Sequence, residues 1–391
     1  MRLLFVTPYF PPTAGSGVQR GAKFVKYLLR LGWDVRVVTI DPAVYPHHDE
    51  GMTGEVEGAR VDTVGLTRSL PFVEHEVLRA LPAMRRAIDL AVREHRPDVL
   101  FATTPDFHWR LVASAARRHG IPFALDYPDP WTVLPDGFRV GKPPKDLRSR
   151  LKWRIAPAVE RRLLESAAFA TFATEPIQRE YVLSRYLPAG KAFVLENGFD
   201  PEDFEGVEPA AHETVRVAHI GSFGGPRTPL AAARAVAHAA ERRSGLELSL
   251  IGAGEGPYDA EVRAILGDSA ALRATGWVTH PLAVSEMISA DVLWLDAMVH
   301  LRSAATGKIY EYLRAGRPIL ALAHPESPAA ELVRRFHVGR VVTSDHAAEA
   351  GEALLDLIRE PFVPASAEDL VALGRGALAK RLSDLLRGVT K

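Results

Sequence analysis

Short apolar runs without alternation, each followed by a segment of helical period, recur along this chain and restrict its fold more than any other feature. LLFVT (3–7) and VLFAT within PDVLFAT (97–103) are apolar at nearly every position, and DVRVVTI (34–40) at four of seven. Strands read this way when helices cover both faces of their sheet. Between the first two, GSGVQRGAKFVKYLLRLG predicts a helix over 18–31, with Val18, Phe24, Leu28 and Leu31 on related faces and Gly32 as its stop. Strand, glycine-rich loop, helix, strand is the opening of a parallel α/β sheet. A helix over 107–119 and strand candidates IPFALDY (121–127), AAFATFAT (167–174) and KAFVLENGFD (191–200) continue the rhythm.

PEDFEGVEPAAHE (201–213) is acidic and non-periodic, and reads as a connector. A second series then begins with the strands VRVAHIGSF (215–223) and LELSLIGAGEGP (246–257). Further strands are expected near 273–277, at DVLWL and at RPILALA, with helices over 258–265, 282–289, 307–315 and 328–336. SAEDLVALGRGALAKRLSDLLRG reads as one final helix. At 391 residues the chain is long for one α/β core. The expected division is 1–205, 206–370 and a last segment 371–391, giving two Rossmann-like parallel-sheet domains with a ligand cleft between them.

Lys plus Arg and Asp plus Glu stand at 48 each, which gives no support for a nucleic-acid partner. With no cysteine there are no disulfides and no thiolate metal sites. The apolar start of about six residues runs into prolines, which suits a buried strand better than a signal peptide. No run reaches the roughly 18 apolar residues of a spanning helix. A cytoplasmic protein is expected, with peripheral contact on the inner membrane face left open. RVGKPPKDLRSRLKWR (139–154) holds seven basic residues against one aspartate, with Leu147, Leu151 and Trp153 interspersed. That pattern suits an anionic membrane surface, a solvated helix face or a funnel for an anionic substrate.

Several residues carry candidate chemistry. Gly15, Ser16 and Gly17 precede a helix and can offer amides to an anion, or form only a tight turn. DYPDPW (126–131) follows a strand end, so Asp126 and Asp129 lie where open α/β sheets bind ligands; an Asp that caps a turn is the plainer alternative. His108 is read as a base, a sugar contact or a packing residue. In IGSFGGPRTP (220–229), Gly221, Gly224 and Gly225 permit an amide-lined bend, and Arg227 offers a planar fork to a phosphate. Gly252 and Gly254 lie in a second glycine-rich strand exit, IGAGEGP (251–257).

SAATGKIYEYLRAGRPI (303–319) is the most pointed stretch. Ser303, Thr306 and Gly307 precede a helix whose free amides favour an anion. Lys308 sits in the first turn, where a cation opposes the helix dipole unless a diphosphate is bound. Glu311 follows, placed to take two ribose hydroxyls. A surface Lys–Glu pair at i, i+3 is the alternative.

Four segments together resemble the retaining glycosyltransferases of family 4, with the GT-B fold. They are FVTPYFPP…GSGVQRGAKFVKYLLRLGWDVRVVT, DYPDPW, VLENGFD and TGKIYEYLRAGRPIL. The resemblance covers essentially the whole chain. It implies a nucleotide-diphosphate sugar, a UDP-sugar ahead of a GDP-sugar, held mainly by the second domain. A hydroxyl acceptor, whether glycan, lipid-linked or natural product, is implied on the first, and the final helix is implied to pack back on that first domain. Glu311 matches the second glutamate of the family's spaced pair, the one that holds ribose; the first falls at Ser303, a departure that puts the sugar and the activity in question. Arg227 matches the arginine of the diphosphate site, and no lysine occurs from 192 to 307, so Lys308 is left to supply the second charge. Gly15 to Gly17 match the loop near diphosphate and acceptor, Asp129 or Asp126 stands near a sugar-contacting position, and Asn197 matches a structural asparagine. Retention follows from the resemblance alone, and neither a metal nor a cofactor beyond the donor is expected. A sugar-nucleotide epimerase, a phosphorylase-like enzyme and an inactive sugar-nucleotide binding module are the alternatives.

Overall fold

The computed structural model describes residues 1–67, 76–133, 147–223, 227–253, 256–303 and 305–390, with side chains for all of these except Ser16 and 147–153. The chain forms two compact units, Met1–Asn197 with Arg375–Lys391, and Gly198–Gly374. Unit 1 contains β1 (Arg2–Val6), α1 (Ser16–Arg30), β2 (Asp34–Ile40), α2 (Gly51–Glu55), β3 (Arg60–Val64), α3 (Glu76–His95) and β4 (Val99–Thr103). It continues with α4 (Trp109–His119), β5 (Phe123–Tyr127), α5 (Leu147–Ser166), β6 (Ala170–Phe172), α6 (Glu175–Leu183) and β7 (Ala192–Val194). Unit 2 runs through β8 (Val215–Ile220), α7 (Leu230–Ala240), β9 (Leu246–Ile251), α8 (Asp259–Leu266), β10 (Ala271–Ala274), α9 (His280–Ser289) and β11 (Val292–Asp296). Then follow α10 (Lys308–Ala315), β12 (Ile319–Leu322), α11 (Pro328–Arg335), β13 (Gly339–Val342), α12 (Ala347–Arg359) and α13 (Ala367–Leu370), before α14 (Arg375–Gly388) returns to unit 1.

Among the described residues the first sheet has the order β3-β2-β1-β4-β5-β6-β7 and the second β10-β9-β8-β11-β12-β13. Their strand pairs are parallel throughout. In β1, Leu4 and Val6 enter one apolar cluster while Leu3 and Phe5 enter another on the opposite face. In β11, Leu293 and Leu295 face one cluster and Val292 and Trp294 the other. Consecutive apolar residues therefore follow from burial of both faces of each sheet. This is the two-domain Rossmann-like architecture.

A buried ion pair organises the C-terminal edge of the first sheet. Arg20 on α1 makes a bidentate bond to Asp126, with Nε at 2.9 Å and Nη2 at 2.7 Å. The hydroxyls of Thr103 and Thr171 donate to the same carboxylate at 2.6 and 2.7 Å. Arg20 also donates to the carbonyls of Leu195 and Glu196 at 2.9 and 2.8 Å, tying the end of unit 1's long segment to α1.

Four expectations change. α1 begins at Ser16, so Ser16 and Gly17 are its first turn and only Gly15, at φ 122°, is loop. β10 ends at Ala274 because Thr275 turns to accept the Gly252 amide at 3.1 Å, leaving Trp277 beyond the strand and partly exposed. Residues 201–213 are not a connector: they belong to unit 2, where Phe204 is buried and the Ala210 amide donates to Ser289 at 2.9 Å. The passage between units falls at Asn197–Gly198 and again at Gly374–Arg375. The final segment is not one helix. It breaks at Gly374, with Leu370 and Leu373 in a unit 2 cluster and Leu378, Leu382 and Leu386 in a unit 1 cluster. The break is enforced by Phe199, which bridges Gly374 and donates its amide to Leu373 at 3.1 Å.

Removing Arg20 strands a buried carboxylate. Arg20→Leu is expected to lower the stability of unit 1 by about 3–5 kcal/mol. Scanning calorimetry should show one transition moved down and the other unmoved; an unshifted thermogram contradicts the role given to the pair.

Candidate functional site

In the second sheet the strand order turns back between β8 and β11, the position where α/β sheets open toward ligands. The ladder there pairs only Val217 with Val292 and Ala218 with Leu293. Beyond it a side chain takes over. The Ile220 amide donates to the Tyr312 hydroxyl at 3.0 Å, and that hydroxyl donates to the Trp294 carbonyl at 3.5 Å. A phenol thus stands between the strands and keeps both buried backbone groups paired. Tyr312 lies on α10, whose Ile309, Tyr310 and Leu313 are also buried, so the helix is fixed against the ends of both strands.

His219, on β8, donates from Nδ1 to the Trp294 carbonyl at 3.2 Å, since a carbonyl can only accept. That assigns its proton and leaves Nε2 to accept from the Lys308 ammonium at 3.1 Å, while the Gly221 backbone also hydrogen-bonds the ring. Burial, then the Lys308 charge, holds the His219 pKa well below the ordinary histidine value. Lys308 is pushed down to about 7 by loss of hydration and next by the charge of Arg227, against the opposing pull of Glu311 and Asp296. No carboxylate lies within ion-pair distance of Lys308 among the described residues.

Glycine makes the space for this lysine. A Cβ on Gly221, which has φ +100°, would stand 2.7 Å from Lys308 Cε and 2.9 Å from Nζ. Gly252, at φ +77°, faces Gly221 in turn: a Cβ there would be 3.4 Å from the Gly221 Cα. The exits of β8 and β9 are thus bare backbone under a cation, an arrangement suited to a phosphate. The Thr306 hydroxyl, just before α10, is buried without a hydrogen-bond partner among the described residues. Asp296 ends β11; burial raises its pKa, and it accepts the Met298 amide at 2.9 Å.

Glu311 does not pair with Lys308. Its Oε1 is 2.8 Å from Nε2 of His280, at the start of α9, whose Nδ1 lies 3.8 Å from Asp203. Lysine and glutamate, one turn apart, each turn to a histidine.

The fold brings together Arg227, Gly252, Thr306, Gly307, Lys308 and Glu311 at this edge of unit 2, with Ser303 on the loop leading to it. Gly224, Gly225 and Gly254 lie outside the described residues, as do 139–146 of the basic stretch. Gly15, Ser16, Gly17, His108, Asp126 and Asp129 belong to unit 1. His108 is fully buried at the entry to α4, and burial drives its pKa down to about 3, so its ring is neutral. Asp126 is consumed by Arg20, Thr103 and Thr171, whereas Asp129 is exposed. The sequence reading does not single out His219, His280 or Asp296, and for Tyr312 it gives only packing of the helix, not the bridge between strands. His219 had a readable signal, a histidine inside the apolar run VRVAHI, and Asp296 another, a carboxylate closing DVLWLD. The pairing of His280 with Glu311 had none.

The chain resembles solved structures over its whole length. Sucrose-phosphate synthase from Thermosynechococcus elongatus matches at TM-score 0.67 and 17% identity, covering 99% of this chain and 98% of that one. A glycosyltransferase from Rickettsia africae matches at TM-score 0.63 and 11% identity, over 100% and 98%. UDP-GlcNAc 2-epimerase from Neisseria meningitidis matches at 0.62 and 14%, over 99% and 100%. The protein is of the two-domain GT-B class. Residues 16–198 match the family model of the glycosyl transferase 4-like domain. No curated protein matches it by sequence.

Tyr312→Phe removes the hydroxyl and leaves the Ile220 amide and Trp294 carbonyl buried with one partner fewer. The unit 2 transition is expected to lose about 1–3 kcal/mol by denaturant unfolding. A wild-type midpoint would contradict the bridging role.

Proposed function

We propose that the protein transfers a glycosyl group from a nucleotide-diphosphate sugar to a hydroxyl acceptor, with retention of anomeric configuration. The observation that carries this reading is the pair Lys308 and Glu311 on one turn of α10. The cation overlies Gly221 near Arg227, and the acid lies roughly 4.5 Å further along the helix axis. A diphosphate followed by a ribose needs that order of charge and acceptor. As the glycosidic bond breaks, negative charge grows on the leaving diphosphate. Arg227, Lys308 and the amides around Thr306 and Gly307 oppose it, so catalysis is chiefly electrostatic, with no covalent enzyme intermediate. These cations take the place of a divalent metal. Unit 1 supplies the acceptor site, with Asp129 at its exposed rim. Among the described residues no helix is long and apolar enough to cross a membrane. Residues 139–154 are proposed to touch an anionic lipid surface.

UDP-, GDP-, ADP- and TDP-sugars are to be titrated by calorimetry, UDP-sugars being expected to bind. Glu311→Ala should weaken binding at least tenfold, and Lys308→Ala should slow transfer more than it weakens binding. Turnover should require a hydroxyl acceptor and persist in a chelator. Turnover without acceptor would indicate an epimerase, and binding without nucleotide release an inactive module. If no sugar nucleotide binds, the reading is wrong.

The basic stretch has its own assay, sedimentation with vesicles containing anionic lipid at low and high salt. Salt-sensitive binding is expected. Equal recovery with neutral and anionic vesicles rules the contact out.

A further inference from the structure

We propose that His219 is a positioning residue: by accepting at Nε2 it holds the Lys308 amine over Gly221, so that this amine takes up a proton when a diphosphate enters beside it. The inference rests on the reading that unit 2 binds a nucleotide sugar.

Three observations carry it. The first is the assigned tautomer. Nδ1–H is spent on the Trp294 carbonyl, the same carbonyl that receives the Tyr312 hydroxyl, so Nε2 can only accept. The ring is further fixed by Phe223, stacked at 4.1 Å and 17°. The second is the kind of partner. A lysine meant to stay charged is normally met by a carboxylate, but the acceptor 3.1 Å from this one is a neutral imidazole. The third is the surrounding field. Arg227 comes from the loop before α7, and Lys308 stands at the positive end of α10. Asp296 at the end of β11 and Glu311 on α10 oppose them, with His300 close to Asp296 and His280 occupied by Glu311.

The consequences for the lysine are direct. A neutral acceptor holds either form: an ammonium donates to Nε2 with one proton, and an uncharged amine does the same. Lys308 is therefore kept in place whatever its charge, and near neutral pH it exchanges its proton with solvent. Two negative phosphates arriving at Gly221 favour the ammonium. Binding then draws in up to one proton, and affinity falls as pH rises above about 7, by at most tenfold per unit. The proton does not go to His219, whose burial keeps it neutral throughout this range.

The experiment is titration of the whole protein with UDP-glucose, UDP-N-acetylglucosamine and GDP-mannose, whose phosphates do not titrate near neutrality. It is run at about pH 6.5 and pH 8 in buffers of different ionisation enthalpy. Wild type should take up a fraction of one proton at pH 8 and bind several-fold more weakly there. Lys308→Arg, always charged, should bind with no proton uptake and equal affinity at both pH values. His219→Leu should weaken binding about tenfold or more, and His219→Gln, whose carboxamide oxygen accepts, should restore most of it. A histidine that only fills space predicts no such order, with Leu tolerated as well as Gln. Should the His219 variants fail to fold, wild type against Lys308→Arg decides. Binding with no pH dependence, or proton uptake that survives in Lys308→Arg, overturns the inference and leaves the functional reading standing. No binding of any sugar nucleotide at either pH overturns both.

Discussion

The hydroxyl of Tyr312 accepts the amide of one strand and donates to the carbonyl of another, so a helix closes the second sheet where its order reverses. Everything at the candidate site is measured from that point. α10 is held to β8 and β11 by the same residue that separates them, and Lys308 and Glu311 inherit their positions from it. The Trp294 carbonyl serves twice, receiving Tyr312 and His219 together, which orients helix and histidine by one backbone group. A crevice lined by titratable groups normally loosens under their mutual repulsion. Here the two groups that set its geometry, a phenol and a neutral imidazole, carry no charge.

The two sheets treat their corresponding edges differently. In unit 1 the reversal between β1 and β4 is closed by four residue pairs, from Leu3–Val99 to Val6–Ala102. The carboxylate nearby, Asp126, is saturated by a guanidinium and two hydroxyls. In unit 2 the ladder stops after two pairs, and the charged group beside it faces a neutral acceptor. Saturated polar groups specify a structure, whereas under-compensated ones store affinity for something else. The contrast explains why DYPDPW, a promising motif on paper, turns out in its first aspartate to be scaffolding.

The sheets were legible because burial of both faces leaves unbroken apolar runs, as in LLFV of β1 and VLWL of β11. Helix ends were less so: α1 starts two residues before its first apolar position, and Gly374 breaks a segment whose periodicity looks continuous. Lys308 and Glu311 could be picked out because a cation at a helix start conflicts with the dipole. Their partners could not be read. His280 reaches Glu311 across 31 positions and Lys308 reaches His219 across 89, and no local pattern encodes such pairings. The mistaken connector at 201–213 has the same cause, since its acidic surface hides Phe204 beneath it.

The division of the last segment at Gly374 bears on how the chain reaches its fold. α14 brings Leu378, Leu382 and Leu386 into the cluster around Phe24 and Trp33, and Ser383 receives the Trp33 indole N–H at 2.8 Å. During synthesis those partners leave the ribosome early, and the residues that cover them arrive only after all of unit 2. For that interval the α1 face of unit 1 has an apolar stripe with no cover, a surface on which chaperones act. Unit 2, contiguous from Gly198 to Gly374, has no such wait and can complete its core first.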